Sequence, residues 1–125
     1  MAGLDGQFKS GMLEGFRGFK LIPLEVTWTA GTPAVSKNPM NESVTLTDVG
    51  AGDLTITLAN AAVSPLIVAG MEVVSDANTL GLVANIDGAP TSTVIRVVVN
   101  SAADGTTETD PVAIQMLILK QVEFS

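Results

Sequence analysis

Between Val44 and Leu58 the chain alternates apolar residues with threonines on both sides of a glycine-containing turn. Val44, Leu46, Leu54, Ile56 and Leu58 share one face, Thr45, Thr47, Thr55 and Thr57 share the other, and Asp48-Val49-Gly50-Ala51-Gly52-Asp53 joins the two halves. A period of two around such a turn predicts a β-hairpin with one dry and one wet face. The same grammar covers most of the remaining chain. Leu21 to Thr29 reads as a strand in which Pro23 marks an edge or a strand start. Ala30-Gly31-Thr32-Pro33 and Asn38-Pro39 are loop signals, so residues 30–42 are predicted to form a long connection. Asn60 to Pro65 is a turn, and Leu66 to Val74 is one strand with a bulge at Gly70. Short strands follow over Leu80 to Ile86 and Thr93 to Asn100, and Ser101 to Pro111 is a polar, acidic loop. Val112 to Phe124 is apolar at both parities and is predicted to be a nearly buried strand.

Strands joined by Gly/Asn/Asp/Pro turns predict an all-β fold, an antiparallel β-sandwich or small barrel of about seven strands. An N-terminal extended arm precedes it, so the organisation is an arm over residues 1–20 and a β-sandwich domain over residues 21–125. Gly3, Gly6, Gly11, Gly15 and Gly18 punctuate the arm, which also holds Phe8, Phe16 and Phe19. Phe8, Met12, Phe16 and Phe19, with Leu13 beside them, have the spacing of one helical face. Each interior glycine costs about 1 kcal/mol relative to alanine, which disfavours an isolated helix. Burying three phenylalanines returns roughly 6 kcal/mol, whereas ordering the arm costs roughly 1–2 kcal/mol per residue. The arm therefore needs further backbone bonds and a preformed surface. Two readings follow: the phenylalanines cover an open end of the domain's own core, or they anchor the arm on a partner.

Composition narrows the chemistry. The chain has 125 residues, no cysteine and no histidine. That is long enough to bury a core without disulfides or a metal. Cysteine nucleophiles, thiolate metal sites and the commonest general base are all missing. Net charge is −7, and beyond Met40 only Arg96 and Lys120 face ten carboxylates. Such an acidic body repels nucleic acid and favours solubility. The first residues carry Asp5 and no apolar run before Lys9, unlike a secretory signal, and no segment approaches the roughly 20 apolar residues of a membrane span. The expectation is a soluble protein with neither nucleic acid nor membrane as partner.

The remaining constellations are small. Asp48 and Asp53 flank a glycine turn, and Asp104, Glu108 and Asp110 share a loop, a set conceivable for calcium; their spacing matches no EF-hand or glycine-aspartate repeat, and they read first as solvated turn residues. A glycosidase would need two acids across a cleft with aromatic platforms, and Trp28 is the single tryptophan in a chain without tyrosine. Trp28 reads as a core or interface aromatic. Arg96, set among valines, reads as a snorkelling edge residue or an intersubunit ion-pair partner. No catalytic residue, cofactor or metal is predicted.

Val44-Thr45-Leu46-Thr47 followed by Gly52-Asp53-Leu54-Thr55-Ile56-Thr57-Leu58 resembles a hairpin of small virion proteins of tailed bacteriophages, in which an aromatic often stands where this chain has Leu54. Thr109-Asp110-Pro111 before the apolar strand Val112 to Phe124 resembles the way those proteins finish. The resemblance implies a non-enzymatic capsid decoration or cement protein, made in the host cytoplasm and bound in many copies to the outside of a phage head. Its implied partners are the major capsid protein lattice and itself, as a homotrimer. An acidic body with apolar anchors suits that role, and the partner-binding residues are predicted to be Phe8, Met12, Leu13, Phe16 and Phe19. A host-surface or carbohydrate-binding module on a virion, and a tail or connector subunit, are the alternatives.

Overall fold

A computed structural model describes residues 17–75 and 81–123. Among these residues the protein is all-β, with eight antiparallel strands and no helix. They are β1 (Arg17–Thr29), β2 (Thr32–Lys37), β3 (Val44–Gly50), β4 (Asp53–Leu58), β5 (Ile67–Val74), β6 (Leu82–Ile86), β7 (Val94–Ser101) and β8 (Ala113–Glu123). Two four-stranded sheets stack as a sandwich. The first has the order β2-β1-β8-β5 and the second β3-β4-β7-β6. At the two sides β2 lies beside β3, and β5 lies beside β6.

The core is the set of inward positions on the central strands. Ile22, Leu24 and Val26 of β1 and Ile114, Met116 and Ile118 of β8 meet Leu54, Ile56 and Leu58 of β4 and Ile95, Val97 and Val99 of β7, all of them buried. Every second residue contributes because successive strand side chains point to opposite faces. Trp28 packs against the rim of this cluster.

The hairpin of residues 44–58 forms in the expected register, with Leu46 opposite Ile56 and Thr47 opposite Thr55. Its turn is held by the far end of the chain. Gly52 donates its N–H to Asp110 Oδ1 at 2.7 Å, and its carbonyl accepts from Val99 at 2.7 Å. Gly52 has φ +66°, and a Cβ there would lie 2.5 Å from the Val99 carbonyl oxygen, so only glycine fits. The irregularity near Gly70 is present as a register shift between Val68 and Gly70.

Three expectations need correction. There are eight strands rather than about seven, because β2 occupies the predicted long connection of residues 30–42. Ala30 and Gly31 both have positive φ and join Thr29 to Thr32 as a two-residue hairpin. Such turns are signalled by Asn-Gly or Asp-Gly, and Ala-Gly hides one. β8 is not buried on both faces: Ile114, Met116 and Ile118 are buried, whereas Gln115 and Leu117 are exposed. β1 begins at Arg17, so Phe19 sits on a strand and not on a helical face.

Candidate interaction surface

The outward side of the first sheet is built by register. On β1 the residues alternating with the core are Phe19, Leu21, Pro23 and Glu25. Leu21 stands opposite Leu119 of β8, which stands opposite Ile67 of β5; the next row is Pro23, Leu117 and Gly70. Cross-strand neighbours share a face, so these residues form one continuous apolar surface across three strands. Phe19 is 58 % exposed, Leu21 47 %, Ile67 46 % and Leu117 37 %. Leu119 is half-buried between its neighbours, and Met40 from the β2–β3 connection adds a further exposed apolar side chain. Single exposed apolar residues are ordinary, but contiguous ones mark contact surfaces.

The surface ends in a polar row. Glu25, Gln115 and Glu72 lie opposite one another on β1, β8 and β5. Gln115 Nε2 donates to Glu25 Oε2 at 2.7 Å, Ser36 Oγ donates to Glu25 Oε1 at 2.8 Å, and Lys37 Nζ lies 3.5 Å from Oε2. The Gln115 hydrogen bond, followed by that from Ser36, holds the Glu25 carboxyl below its ordinary value. Between this row and Leu117 lies a shallow groove of ≈ 510 Å³, lined by Pro23, Pro39, Gly70 and Met71 among others. A second hollow joins Phe19, Leu21, Pro23 and Met40.

At the opposite end of the first sheet, on its inward side, Lys20 and Lys120 face each other across β1 and β8. Glu42 from the β2–β3 connection enters between them. Its Oε1 is 2.5 Å from Lys20 Nζ and its Oε2 is 3.9 Å from Lys120 Nζ. The contact with Lys20 is an ion contact without hydrogen-bond geometry, since Oε1 has no hydrogen-bond partner. The side chains of Glu42 and Lys120 are only 4 % and 7 % exposed. Asn38 holds the segment in place: its Nδ2 donates to the Glu42 carbonyl at 2.7 Å, and its Oδ1 accepts the Glu42 N–H at 3.0 Å. One carboxylate between two lysines relieves a repulsion that would otherwise fall at the end of the core. The triad lies at this end of the core, next to Ile22 and Ile118.

Of the predicted partner-binding residues, Phe19 lies on the apolar surface, and Phe8, Met12, Leu13 and Phe16 fall outside the described residues. Sequence reasoning missed Leu21, Ile67, Leu117 and Leu119. For Leu117 and Leu119 the signal was present in β8, whose apolar residues at both parities were read as near-complete burial. Arg96 is exposed on β7, a central strand opposite Thr55 of β4, which overturns its reading as an edge residue. Asp104 organises its own loop: its Oδ1 accepts the N–H groups of Thr106 at 3.0 Å and Thr107 at 2.9 Å, and its Oδ2 accepts the Thr107 hydroxyl. These bonds, led by the Thr107 hydroxyl, lower its pKa to about 2. Among the described residues, no group of three or more acidic side chains is placed to hold a metal ion. Compared with protein-family models, with curated proteins and with solved structures, the chain matches none.

Proposed function

We propose that this protein is a non-enzymatic structural virion protein, a capsid decoration or cement protein that binds the outside of a phage head in many copies. Its partners in this reading are the major capsid protein lattice and its own copies in a homotrimer. The observation that carries the reading is the continuous apolar face of Phe19, Leu21, Ile67, Leu117 and Leu119 on an acidic sandwich. Such a face is suited to permanent contact with a surface. Repetition of the lattice lets modest contacts add through effective concentration. The polar Thr-rich face of the second sheet would then point to solvent.

The test is co-sedimentation of the full-length protein with heads assembled without it. Saturable binding is expected, reduced at least tenfold by the double substitution Leu21→Ser and Leu119→Ser with the melting temperature preserved. Absence of binding by the unsubstituted protein overturns the reading.

A further inference from the structure

The outer face of the first sheet is complementary to itself. Register places Lys37, Glu25, Gln115 and Glu72 in one row across β2, β1, β8 and β5. The two ends of that row carry opposite charge. The Lys37 side chain is 68 % exposed, and Glu72 is exposed with no ion pair among the described residues. We propose that two copies of this chain pair face to face through the first sheet in solution, about a twofold axis that lies in the interface and runs along the strands.

Such an axis reverses the order of the strands and keeps each row at its own level. Lys37 meets Glu72 of the second copy, and Glu25 meets Gln115 of the second copy, each contact occurring twice. Gln115 donates one amide hydrogen to Glu25 of its own chain and has a second for the neighbouring carboxylate. An axis across the strands would set this row against Phe19 and Gln121 at the other end of the face, so the charges select the axis along them. Sheets that stack in this way keep their strands within about 30° of each other, which holds the central rows in register.

The apolar rows obey the same operation. Leu21 meets Leu119 of the second copy, and Pro23 meets Leu117 of the second copy. β2 ends at Lys37, and Met40 stands beside Leu21 and Pro23 in its stead. The axis brings Met40, 45 % exposed, onto Ile67 of the second copy, 46 % exposed. Pro39 and Gly70 line opposite ends of the groove and likewise change places. Nothing in the fold asks for glycine at position 70, since its φ is not left-handed and a Cβ there would meet nothing within 4 Å. The missing side chain leaves a notch for Pro39 of the second copy.

The face spans four strands about 4.8 Å apart and six positions of about 3.3 Å, roughly 400 Å² in projection. Two such faces with their side-chain relief come to the lower end of specific interfaces, about 1,200 Å² in total, the size of a reversible contact. The pairing goes beyond the proposed function while using its face: it concerns the free protein, it is twofold rather than threefold, and it parts when the face meets a head. A bare apolar face invites open-ended association, whereas a twofold pair closes on itself.

Sedimentation equilibrium of the full-length protein tests this without heads, so its failure and that of the head-binding reading are told apart. A monomer–dimer equilibrium is expected. Lys37→Glu and Glu72→Lys each set like charges against each other at both ends of the row, and each is expected to weaken pairing by about tenfold or more. Mixed in equal amounts, the two variants are expected to pair with each other to within roughly threefold of the parent, because the row of one then complements the row of the other. Both variants remain net acidic, so general attraction between them does not explain that recovery. Gly70→Leu, which fills the notch without touching a charge, is expected to weaken pairing as well, and melting temperatures check that all three variants fold. A monomer at about millimolar concentration overturns the proposal. So does association that neither charge reversal weakens, or a loss that mixing does not restore.

Discussion

The two sheets bury the same kind of residue and show the solvent different ones. Inward, Ile22, Leu24, Ile114 and Ile118 of the first sheet are matched by Leu54, Ile56, Ile95 and Val97 of the second. Outward, the second sheet pairs Thr45 with Thr57 and Thr47 with Thr55, with Arg96 next to Thr55; Val94 and Val98 are half-buried among them and Val83 is exposed on the β6 edge strand. The first sheet instead sets Leu21 beside Leu119 and Ile67, and Pro23 beside Leu117. Threonine and leucine both suit an extended strand, so strand formation does not explain the difference. Inward positions answer to the core and outward ones only to water or to a partner. A row of outward leucines costs solubility and returns nothing to the fold unless something covers it.

The largest expected effect lies where the sheets are alike. Ile118→Ala on β8 and Ile56→Ala on β4 are each expected to lose about 2–5 kcal/mol, because each leaves a cavity in the same core. Urea unfolding checks this, and a loss confined to one sheet would break the picture of a shared core. Next comes Glu42→Ala, which leaves the buried Lys120 opposite Lys20 without its counter-charge. A loss of about 3 kcal/mol is expected from removing one member of a buried ion group. Adding Lys120→Met to Glu42→Ala should recover much of it, as measured by thermal melting.

The outer faces give a smaller change in stability and a clearer contrast. Leu21→Thr and the reciprocal Thr45→Leu are each expected to stay within about 0.5 kcal/mol of the parent. Binding to empty heads should fall at least tenfold for Leu21→Thr and stay unchanged for Thr45→Leu. Equal behaviour of the two would remove the distinction between the faces.

The smallest effect is local and depends on pH. Asp104 titrates at about 2 in the folded loop against an ordinary 3.8. A depressed carboxylate stabilises above its unfolded value and loses that contribution as pH falls through its folded value. The loop at Thr106 and Thr107 is therefore expected to hold above pH 4 and loosen progressively toward pH 2, read from the exchange of their amides. In Asp104→Asn the dependence over that window should vanish, while the outer faces of both sheets remain as they were.

Much of this was legible in the residues because alternation is a local property. The hairpin of β3 and β4, the bulge near Gly70, the acidic loop of residues 101–111 and the strand character of β7 and β8 each follow from patterns spanning a few neighbours. β2 was hidden, since Thr32-Pro33-Ala34-Val35 carries a weak pattern and its turn places Ala30 at positive φ. That strand exists through its pairing with β1. The candidate surface was legible only at Phe19. Leu117 and Leu119 look like core in the sequence, because a period of two says that residues alternate and not which side is covered.

By itself the sequence determined an all-β fold, the inward set on β3 and β4, and the absence of cysteine and histidine from any chemistry it could perform. The tertiary structure decided the rest: that Leu21, Leu119 and Ile67 from three distant segments share a row, that Glu42 enters between Lys20 and Lys120, and that Asp110 closes on Gly52. Each depends on strand order and register, which come from how two sheets pack over one core rather than from the preferences of neighbouring residues.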